Sequence, residues 1–254
     1  KIENYFLKHG YYISEVEDLK TFNLFENEVN NIFKKILQTN IKKYNLETIH
    51  QNIAYDKINE VRVKVFNELN KFDWLLPTYY SFAKKALDTI VGNEICIQKQ
   101  LNLSIQMPKD NTSTLPIHAD SFNGESPFQV VLWIPMTDAY KSNSMFIIDP
   151  NNNSKILKKI KKYKNKEGIK KIYSSYKKNF KFLNIKKGNF LIFSSNLLHG
   201  NVVNKEKTSR ISFNTRVKSL FSPYGSDEKN IGNFYQPNII KPATTFGLNF
   251  ETPE

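Results

Sequence analysis

The sequence predicts a mainly β protein with added helices, in which N-terminal helices pack on a β-sandwich or β-barrel core. Between Ser14 and Gly92, apolar residues recur at helical spacing. From Glu94 onward, short apolar runs alternate with turns rich in Gly, Pro and Asn, which is the pattern of strands in a sandwich or barrel. At 254 residues, the chain is long enough to bury one well-packed core.

The helical part is expected to begin at a capping box. Ser14 and Glu17 occupy the two reciprocal positions of that motif. The apolar residues that follow recur every three or four positions as far as Ile36, as they do on one face of a helix. The further predicted helical stretches are residues 45–53, 56–69 and 77–92. We expect these apolar stripes to form core and not a ligand-binding surface.

Strands are predicted wherever short apolar runs stand between turn residues. These runs are residues 95–106, 128–135, 144–148, 190–193, 200–203 and 210–217. The sequence after residue 220 is irregular but rich in aromatic residues, so it is expected to wrap around the domain. We therefore predict one domain of residues 1–254. Its parts are a mostly helical support (1–92), a strand core (93–220) and a C-terminal wrap (221–254).

The net charge of +13 allows two explanations. A basic chain favours an anionic partner, such as nucleic acid or a phosphorylated molecule. The chain is also biased toward Lys, Asn and Ile and is poor in Arg, whereas proteins that bind nucleic acids use Arg to contact bases and phosphates. We favour the compositional explanation, so a nucleic-acid partner is not expected.

Cysteine content and hydropathy indicate the compartment. The single cysteine, Cys96, cannot form an intrachain disulfide, which fits a reducing cytoplasm. No stretch approaches the roughly eighteen apolar residues of a membrane span. No secretory signal is visible at the start of the sequence. A cytoplasmic location without a membrane partner is therefore expected.

Residues 155–187 are dense in lysine with interleaved aromatic residues. One interpretation is a lid or an anion-binding flap over a site. The other is a solvated insertion, which blocks of like charge usually form. We favour the solvated insertion and leave the lid open.

A His-x-Asp motif at His118 and Asp120 is the first candidate for chemistry. In extended backbone, side chains two residues apart point to the same side, so both can reach one metal ion. His199, which follows an apolar strand, supplies a second imidazole. Two imidazoles and one carboxylate on one side of a metal are the ligand set of non-haem Fe(II) sites. The alternative for His118 and Asp120 alone is a hydrogen-bonded pair on a loop.

Arg210 follows His199 by eleven residues and adds a second kind of chemistry. A dicarboxylate that chelates a metal through its keto-acid end leaves its far carboxylate in the pocket. A planar guanidinium binds such a carboxylate through two parallel charge-assisted hydrogen bonds. Ser212 lies on the same side of the predicted strand and can add a hydroxyl donor.

These residues resemble the Fe(II)/2-oxoglutarate-dependent oxygenases, whose pattern is His-x-Asp, a distal His, and an Arg about ten residues further on. The resemblance covers roughly residues 101–220. More loosely, the chain resembles the phytanoyl-CoA-hydroxylase-like branch and oxygenases encoded with carbohydrate-biosynthesis enzymes. The resemblance implies O2 as a co-substrate and a core that is a double-stranded β-helix, or jelly roll, with the metal in its mouth. The implied residues are His118, Asp120 and His199 for Fe(II), and Arg210 and Ser212 for 2-oxoglutarate.

The carboxylate of Asp120 bears on the reaction type. Halogenating relatives carry a small residue at the corresponding position, which makes room for a halide. Halogenation is therefore not expected of this chain.

Further site residues are predicted from their positions on the strands. Gln106 and Gln129 border core strands and are candidates to hydrogen-bond the co-substrate. Trp133 is expected to form a wall of the pocket. Asn201 follows the distal His by two residues and is a candidate substrate ligand. Asn214 and Arg216 share the inward parity of Arg210, and Arg216 is expected to bind an anionic substrate group or an internal carboxylate.

The function expected from these residues is that of an Fe(II)/2-oxoglutarate-dependent dioxygenase. It would oxidise, most often by hydroxylation, an unactivated C–H of a small polar metabolite. Candidate substrates are a sugar, a sugar nucleotide or a natural-product intermediate, including anionic ones. One alternative is a cupin-type metal-binding sugar isomerase or binding protein, which would not need Arg210. A basic nucleic-acid-binding module would need no metal. The sequence leaves the substrate, the oxidised carbon and the oligomeric state open.

Overall fold

The computed structural model describes residues 1–38, 45–160, 171 and 174–251. The helices are α1 (Ile2–His9), α2 (Leu19–Leu37), α3 (Ile58–Leu69), α4 (Leu75–Ser81), α5 (Lys84–Ile90), α6 (Pro150–Ile160) and α7 (Pro242–Leu248). The strands are β1 (Tyr11–Glu15), β2 (Ile95–Gln98), β3 (Asn102–Gln106), β4 (Val130–Pro135), β5 (Phe146–Ile148), β6 (Phe180–Phe182), β7 (Asn189–Ser194), β8 (His199–Gly200), β9 (Arg210–Ser219) and β10 (Tyr235–Ile239).

The strands form two antiparallel sheets of a jelly-roll core, as predicted. The large sheet has the order β1-β7-β4-β9-β2-β10, and β3 pairs with the first half of β9. The small sheet has the order β6-β5-β8. Strand β9 is central because β4 pairs along one side of it, while β3 and β2 pair in succession along the other.

Alternation along β9 separates the core from the interior between the sheets. Ile211, Phe213 and Val217 belong to a core cluster shared with the helices, and the ring centroid of Phe213 lies 5.5 Å from that of Phe25 in α2. The intervening residues Arg210, Ser212, Asn214 and Arg216 therefore point to the opposite face, toward the small sheet. Apolar residues from both sheets fill the space between them: Val131, Trp133, Met145, Ile147, Leu191 and Phe193.

The predicted capping box is wrong in its details. Ser14 lies in β1, which pairs with β7 at the edge of the large sheet. Helix α2 begins at Leu19, and Asp18 caps it, because its Oδ1 accepts a hydrogen bond of 2.9 Å from the backbone N–H of Thr21. Helix α3 was predicted correctly, since Ile58, Val61, Val65 and Leu69 form its buried stripe.

Other elements differ from the prediction in their extent. The long predicted strand 95–106 is two strands, β2 and β3, which pair with different halves of β9. The expected C-terminal wrap contributes a strand of its own, β10, which pairs with β2. The division into support, core and wrap within one domain remains a prediction.

The lysine-rich segment is only partly described. Its first residues continue α6, in which Ile156 is buried, and β6 pairs with β5 of the small sheet. Residues 161–170 and 172–173 lie outside the described residues. The choice between a lid and a solvated insertion therefore stays a prediction. Among the described residues, none of the helices combines the length and the apolar character that crossing a bilayer requires.

Candidate metal centre

The backbone pairs His118 with His199 directly. The N–H of His118 donates to the carbonyl of His199 at 3.0 Å, and the N–H of His199 donates to the carbonyl of His118 at 2.9 Å. This antiparallel bridge attaches the His-x-Asp segment to β8. Gly200 permits the approach, because a Cβ there would lie 2.8 Å from the carbonyl oxygen of Leu115 and 2.9 Å from Cζ of Phe146.

The structure brings together the three predicted ligands. Each of these residues, His118, Asp120 and His199, offers one possible ligand atom. The three atoms lie within 4.8 Å of one another. The Nε2 atoms of His118 and His199 lie 3.5 and 3.6 Å from Oδ1 of Asp120. The imidazole ring centroids are 4.3 Å apart. Three donor atoms at these separations can surround one divalent ion from a single side.

Both imidazoles are held in the tautomer that a metal ligand needs. Nδ1 of His118 lies 2.7 Å from the carbonyl oxygen of Pro116, and Nδ1 of His199 lies 2.9 Å from that of Leu197. A carbonyl only accepts, so each Nδ1 carries a proton, and in the neutral imidazole the lone pair is then on Nε2, beside Oδ1 of Asp120. The donor set therefore fits a ferrous ion in the types of ligand and in the ring nitrogens that face the common point.

The three ligands differ in how their surroundings shift their pKa values. Burial lowers the pKa of His118, but its hydrogen bond to Asp120 raises it above its ordinary value. Burial, helped by the neighbouring His118, lowers the pKa of His199 to about 4. Burial alone would raise the pKa of Asp120, but the hydrogen bond with His118 and the positive charge of Arg216 hold it well below its usual range. Near neutral pH, the cluster thus offers a neutral imidazole at His199 and a carboxylate at Asp120.

Arg216 binds the second oxygen of the same carboxylate. Its Nη2 donates to Oδ2 of Asp120 at 2.9 Å, its Nη1 to Oδ1 of Asn214 at 2.7 Å, and its Nε to Oε2 of Glu125 at 3.3 Å. Burial lowers the pKa of Arg216, but the two carboxylates raise it above its ordinary value. Of the two roles predicted for Arg216, the structure shows the pairing with internal carboxylates.

Gln129 lies behind this ion pair and does not line the chamber around the cluster. Its amide N–H donates to Glu125, and its amide oxygen accepts from the hydroxyl of Tyr235. These hydrogen bonds make Gln129 a support for Glu125, in contrast to the contact with the co-substrate that we expected. Glu125 itself was missed, because nothing in its local sequence indicates a partner on β9.

Arg210 is a buried guanidinium in the same chamber. It is 3% exposed, and burial lowers its pKa to about 10. Its hydrogen bonds go to neutral acceptors: Oε1 of Gln106 at 3.2 Å, Oγ of Ser212 at 2.5 Å and Oγ of Ser104 at 3.3 Å. No carboxylate of the described residues forms an ion pair with it. A buried charge without a counter-charge is costly, so Arg210 is suited to an anionic ligand.

Two further predicted residues hold the site together by hydrogen bonds. Gln106 uses its amide oxygen for Arg210 and its amide N–H for the carbonyl of Val202, at 2.5 Å, so it orients the guanidinium. Asn201 accepts from the backbone N–H of Leu115 at 2.5 Å and donates to the carbonyl of Ser113 at 3.2 Å. Asn201 thereby fastens the segment that precedes His118.

A chamber of about 100 Å³ surrounds the cluster. Trp133 forms part of its wall, as predicted, and Cζ of Arg210 lies 5.7 Å from the centroid of a Trp133 ring. Sequence reasoning missed Ser104 in this wall. The available signal was its parity, because Ser104 and Gln106 alternate with buried apolar residues in β3. The chamber borders on a larger cavity, since four residues line both.

A jelly-roll core with two imidazoles and a carboxylate around one point, beside a buried arginine, defines the Fe(II)/2-oxoglutarate-dependent oxygenases as a class. Residues 15–212 match the phytanoyl-CoA dioxygenase (PhyH) family. The chain belongs to this family, and it is an oxygenase that uses Fe(II), 2-oxoglutarate and O2. No curated protein sequence significantly matches the chain.

Solved structures share the fold at low sequence identity. The chain is similar to the non-haem monooxygenase ThoJ in its nickel complex, with a TM-score of 0.54 and 13% identity over 98% of this chain and 93% of that one. For the 2-oxoglutarate-dependent carbocyclase SnoK of nogalamycin biosynthesis, the TM-score is 0.55 and the identity is 12% over 93% of this chain and 94% of that one. For HygX of Streptomyces hygroscopicus, with nickel and 2-oxoglutarate bound, the TM-score is 0.52 and the identity is 11% over 87% of this chain and 88% of that one.

Proposed function

We propose that this oxygenase hydroxylates an unactivated C–H of a small polar metabolite, with a sugar, a sugar nucleotide or a natural-product intermediate as the candidate substrates. His118, Asp120 and His199 would hold the iron, and Arg210 with Ser212 would hold the far carboxylate of 2-oxoglutarate. The observation that carries the proposal is the presence, in one chamber, of the three-ligand cluster and a buried guanidinium that lacks a counter-charge.

The three metal ligands lie on one side of the point that they surround, and their role follows from this arrangement. His118 and His199 are adjacent across one backbone bridge, and Oδ1 of Asp120 faces both rings. Ligands confined to one side leave the opposite positions open for a chelating co-substrate and oxygen. Oxidative decarboxylation of 2-oxoglutarate to succinate at ferrous iron supplies the oxidising power in this class.

Arg210 would orient the co-substrate through its charge. Its Nη1 and Nη2 atoms donate hydrogen bonds to serine hydroxyls, and hydroxyls can rotate to donate to a carboxylate. The guanidinium then offers a planar pair of donors to the anion. Gln106 keeps the guanidinium plane fixed from behind through Nε, so less ordering is needed on binding.

Apolar side chains would keep the reacting region dry. Val131, Trp133, Met145 and Phe193 line the chamber together with the metal ligands. Exclusion of water strengthens the charge pairing of Arg210 and limits side reactions at the metal. The remaining task of the protein is to aim one C–H of the substrate at the open side of the metal.

The reaction type is the less constrained part of the proposal. Proteins with this fold include the carbocyclase SnoK and the epimerase SnoN, whose TM-score is 0.51. Hydroxylation requires only that one C–H be positioned, whereas ring closure needs a second group held in place. A cupin-type sugar isomerase or binding protein would leave the buried charge of Arg210 without a function.

An anaerobic titration tests the site assignment. Fe(II) and 2-oxoglutarate added together to the wild type should give a weak visible charge-transfer band, and His118→Ala should abolish it. Arg210→Ala should weaken 2-oxoglutarate binding roughly ten- to a hundredfold, because a charge-assisted pair is worth about 1.5–3 kcal/mol. Absence of the band in the wild type, or unchanged 2-oxoglutarate affinity in Arg210→Ala, would contradict the assignment.

Substrate-stimulated formation of succinate tests the substrate proposal. Each candidate from a panel of sugars, sugar nucleotides and nucleotides is added to the iron-loaded enzyme with 2-oxoglutarate under air. A substrate in these classes should accelerate succinate formation and gain one oxygen atom by mass. A panel with no stimulation above background would count against the proposed substrate class. The cytoplasmic location remains a prediction beside this proposal.

A further inference from the structure

A second cavity, of about 730 Å³, adjoins the metal chamber. It lies between α3, β3 and residues 112–115. Ser104, Leu115, Asn214 and Arg216 line both spaces. The two spaces therefore adjoin at these four residues, which brings the cleft next to the chamber that holds the metal ligands. The volume lies within the range of sites for drug-sized small molecules.

Helix α3 presents a second stripe to this cleft. Its buried stripe packs in the core, while the adjacent face lines the cleft with residues spaced as neighbours on one side of a helix: Asn59, Arg62, Val63 and Phe66. Val63 is 43% exposed, and Leu115, across the cleft, is 55% exposed. The walls thus offer apolar surface that a bound molecule can cover.

Arg62 supplies an uncompensated positive charge at this stripe. Its Nη2 donates to the neutral Oδ1 of Asn59 at 2.5 Å, and no carboxylate of the described residues pairs with it. Two lysines near it behave differently, since Lys57 and Lys64 both form ion pairs with Glu60.

The lining of the cleft carries net positive charge. Among the described residues that line it there are two arginines and no Asp or Glu. The other arginine, Arg216, is neutralised by Asp120 and Glu125. The net unpaired charge in the cleft is therefore that of Arg62.

We propose that the cleft binds the substrate and that Arg62 is a specificity-determining residue for an organic anion. The anionic group, a carboxylate or a phosphate, contacts the guanidinium of Arg62. An apolar portion of the molecule packs on Val63, Phe66 and Leu115, and the reacting C–H lies at the metal end. This inference rests on the proposed function and narrows its substrate to amphipathic acids.

Binding to the metal-free protein tests the inference without any turnover. The probes are matched aryl-alkyl carboxylic acids, their primary amides and the phosphate monoesters of the corresponding alcohols. Calorimetric titration with a chelator present compares the wild type, Arg62→Gln and Lys64→Gln. Lys64→Gln is the control, because it removes the same charge from the same helix outside the cleft.

The wild type should bind the acids or the phosphates at least about ten times more tightly than it binds the amides. Arg62→Gln should abolish that preference, and Lys64→Gln should retain it. Which of the two anionic series binds identifies the recognised group. Equal affinity for acids and amides, an unchanged preference in Arg62→Gln, or no binding by any probe would overturn the inference.

The test separates this inference from the proposed function. The charge-transfer band with Fe(II) and 2-oxoglutarate should be the same in Arg62→Gln as in the wild type, because Arg62 does not line the metal chamber. A missing band in protein that still binds acids through Arg62 would contradict the proposed function alone. A normal band in protein that binds no acid would contradict the anion inference alone.

Discussion

Nη2 of Arg216 lies 2.9 Å from Oδ2 of Asp120, on the oxygen opposite to the one that faces the two histidines. The carboxylate is thus divided between two functions. Oδ2 is held by the protein, and Oδ1 is left beside Nε2 of His118 and His199. Together with the hydrogen bond from His118, Arg216 also offsets the buried charge of Asp120 in the metal-free protein.

Replacement of Arg216 should therefore destabilise the metal-free protein strongly. Arg216→Gln removes the cation that pairs with both Asp120 and Glu125, although Nζ of Lys229 stays 3.8 Å from Oε1 of Glu125, and removing one partner of a buried ion pair costs about 3–5 kcal/mol. Urea unfolding in the presence of a chelator measures the loss. Saturating Ni(II) should restore part of the stability, because the ion binds the native state and supplies a positive charge at Asp120.

Arg62→Gln is the matched control for this measurement. It makes the same substitution at an exposed arginine without an ion pair among the described residues, so its effect should stay within about 0.5 kcal/mol. Equal losses in the two variants would show that Arg216 does not compensate the buried carboxylates.

Arg210→Met, unlike Arg216→Gln, should not destabilise the protein. Arg210 is as buried as a core residue but has no carboxylate partner among the described residues, so an apolar side chain of similar length removes a desolvated charge. We expect unchanged or increased stability without 2-oxoglutarate. The rise in melting temperature that 2-oxoglutarate gives the Ni(II)-loaded wild type should disappear. A variant that is several kcal/mol less stable, yet still stabilised by 2-oxoglutarate, would contradict this account.

The contrast between the two arginines shows where sequence reasoning succeeds. Both were placed on the inward face by their parity on β9, which depends only on local backbone geometry. The spacing of His118 and Asp120 is local in the same way. The partner of Arg216 was left open between a substrate and an internal carboxylate. Glu125 and Asp120 reach it only through tertiary folding, which local spacing does not encode.

The difference between local spacing and tertiary contacts also explains the errors in the predicted fold. Ser14 and Glu17 satisfy the spacing of a capping box, but β-sheet pairing with β7 outweighs that local preference. Strand β10 contains a proline, and its alternation is weak, so only its pairing with β2 identifies it as a strand. Helix α3 was predicted because its buried stripe is strictly periodic.

Gln106→Glu should weaken 2-oxoglutarate binding more than Gln106→Leu does. The glutamate puts a carboxylate where the amide oxygen accepts from Nε of Arg210, so it neutralises the charge meant for the co-substrate. Leucine removes two hydrogen bonds, the one from Arg210 and the one to the carbonyl of Val202, but it leaves the charge of Arg210 free. We expect a loss of about tenfold or more for glutamate and a few-fold loss for leucine. The anaerobic charge-transfer titration measures both. Wild-type affinity in Gln106→Glu would rule out Arg210 as the carboxylate ligand.

Gly200→Ala should separate the two histidine ligands. The added Cβ would lie 2.8 Å from the carbonyl oxygen of Leu115 and 3.2 Å from the carbonyl carbon of Pro116, and backbone atoms cannot rotate away. The segment before His118 must then move off β8, which breaks the paired hydrogen bonds between His118 and His199. We expect a destabilisation of about 1–3 kcal/mol from overpacking. Ni(II) affinity should also fall at least tenfold, that is by about 1.4 kcal/mol.

Gly247→Ala serves as the control for that substitution. Apart from its chain neighbours and the backbone of α7, the described residues place no heavy atom within 4 Å of a Cβ built at Gly247, so alanine should leave Ni(II) affinity unchanged and raise stability by up to about 1 kcal/mol. Isothermal titration with Ni(II) and urea unfolding compare the two variants with the wild type. Wild-type metal affinity in Gly200→Ala would mean that the bridge between His118 and His199 does not set the position of the ligands.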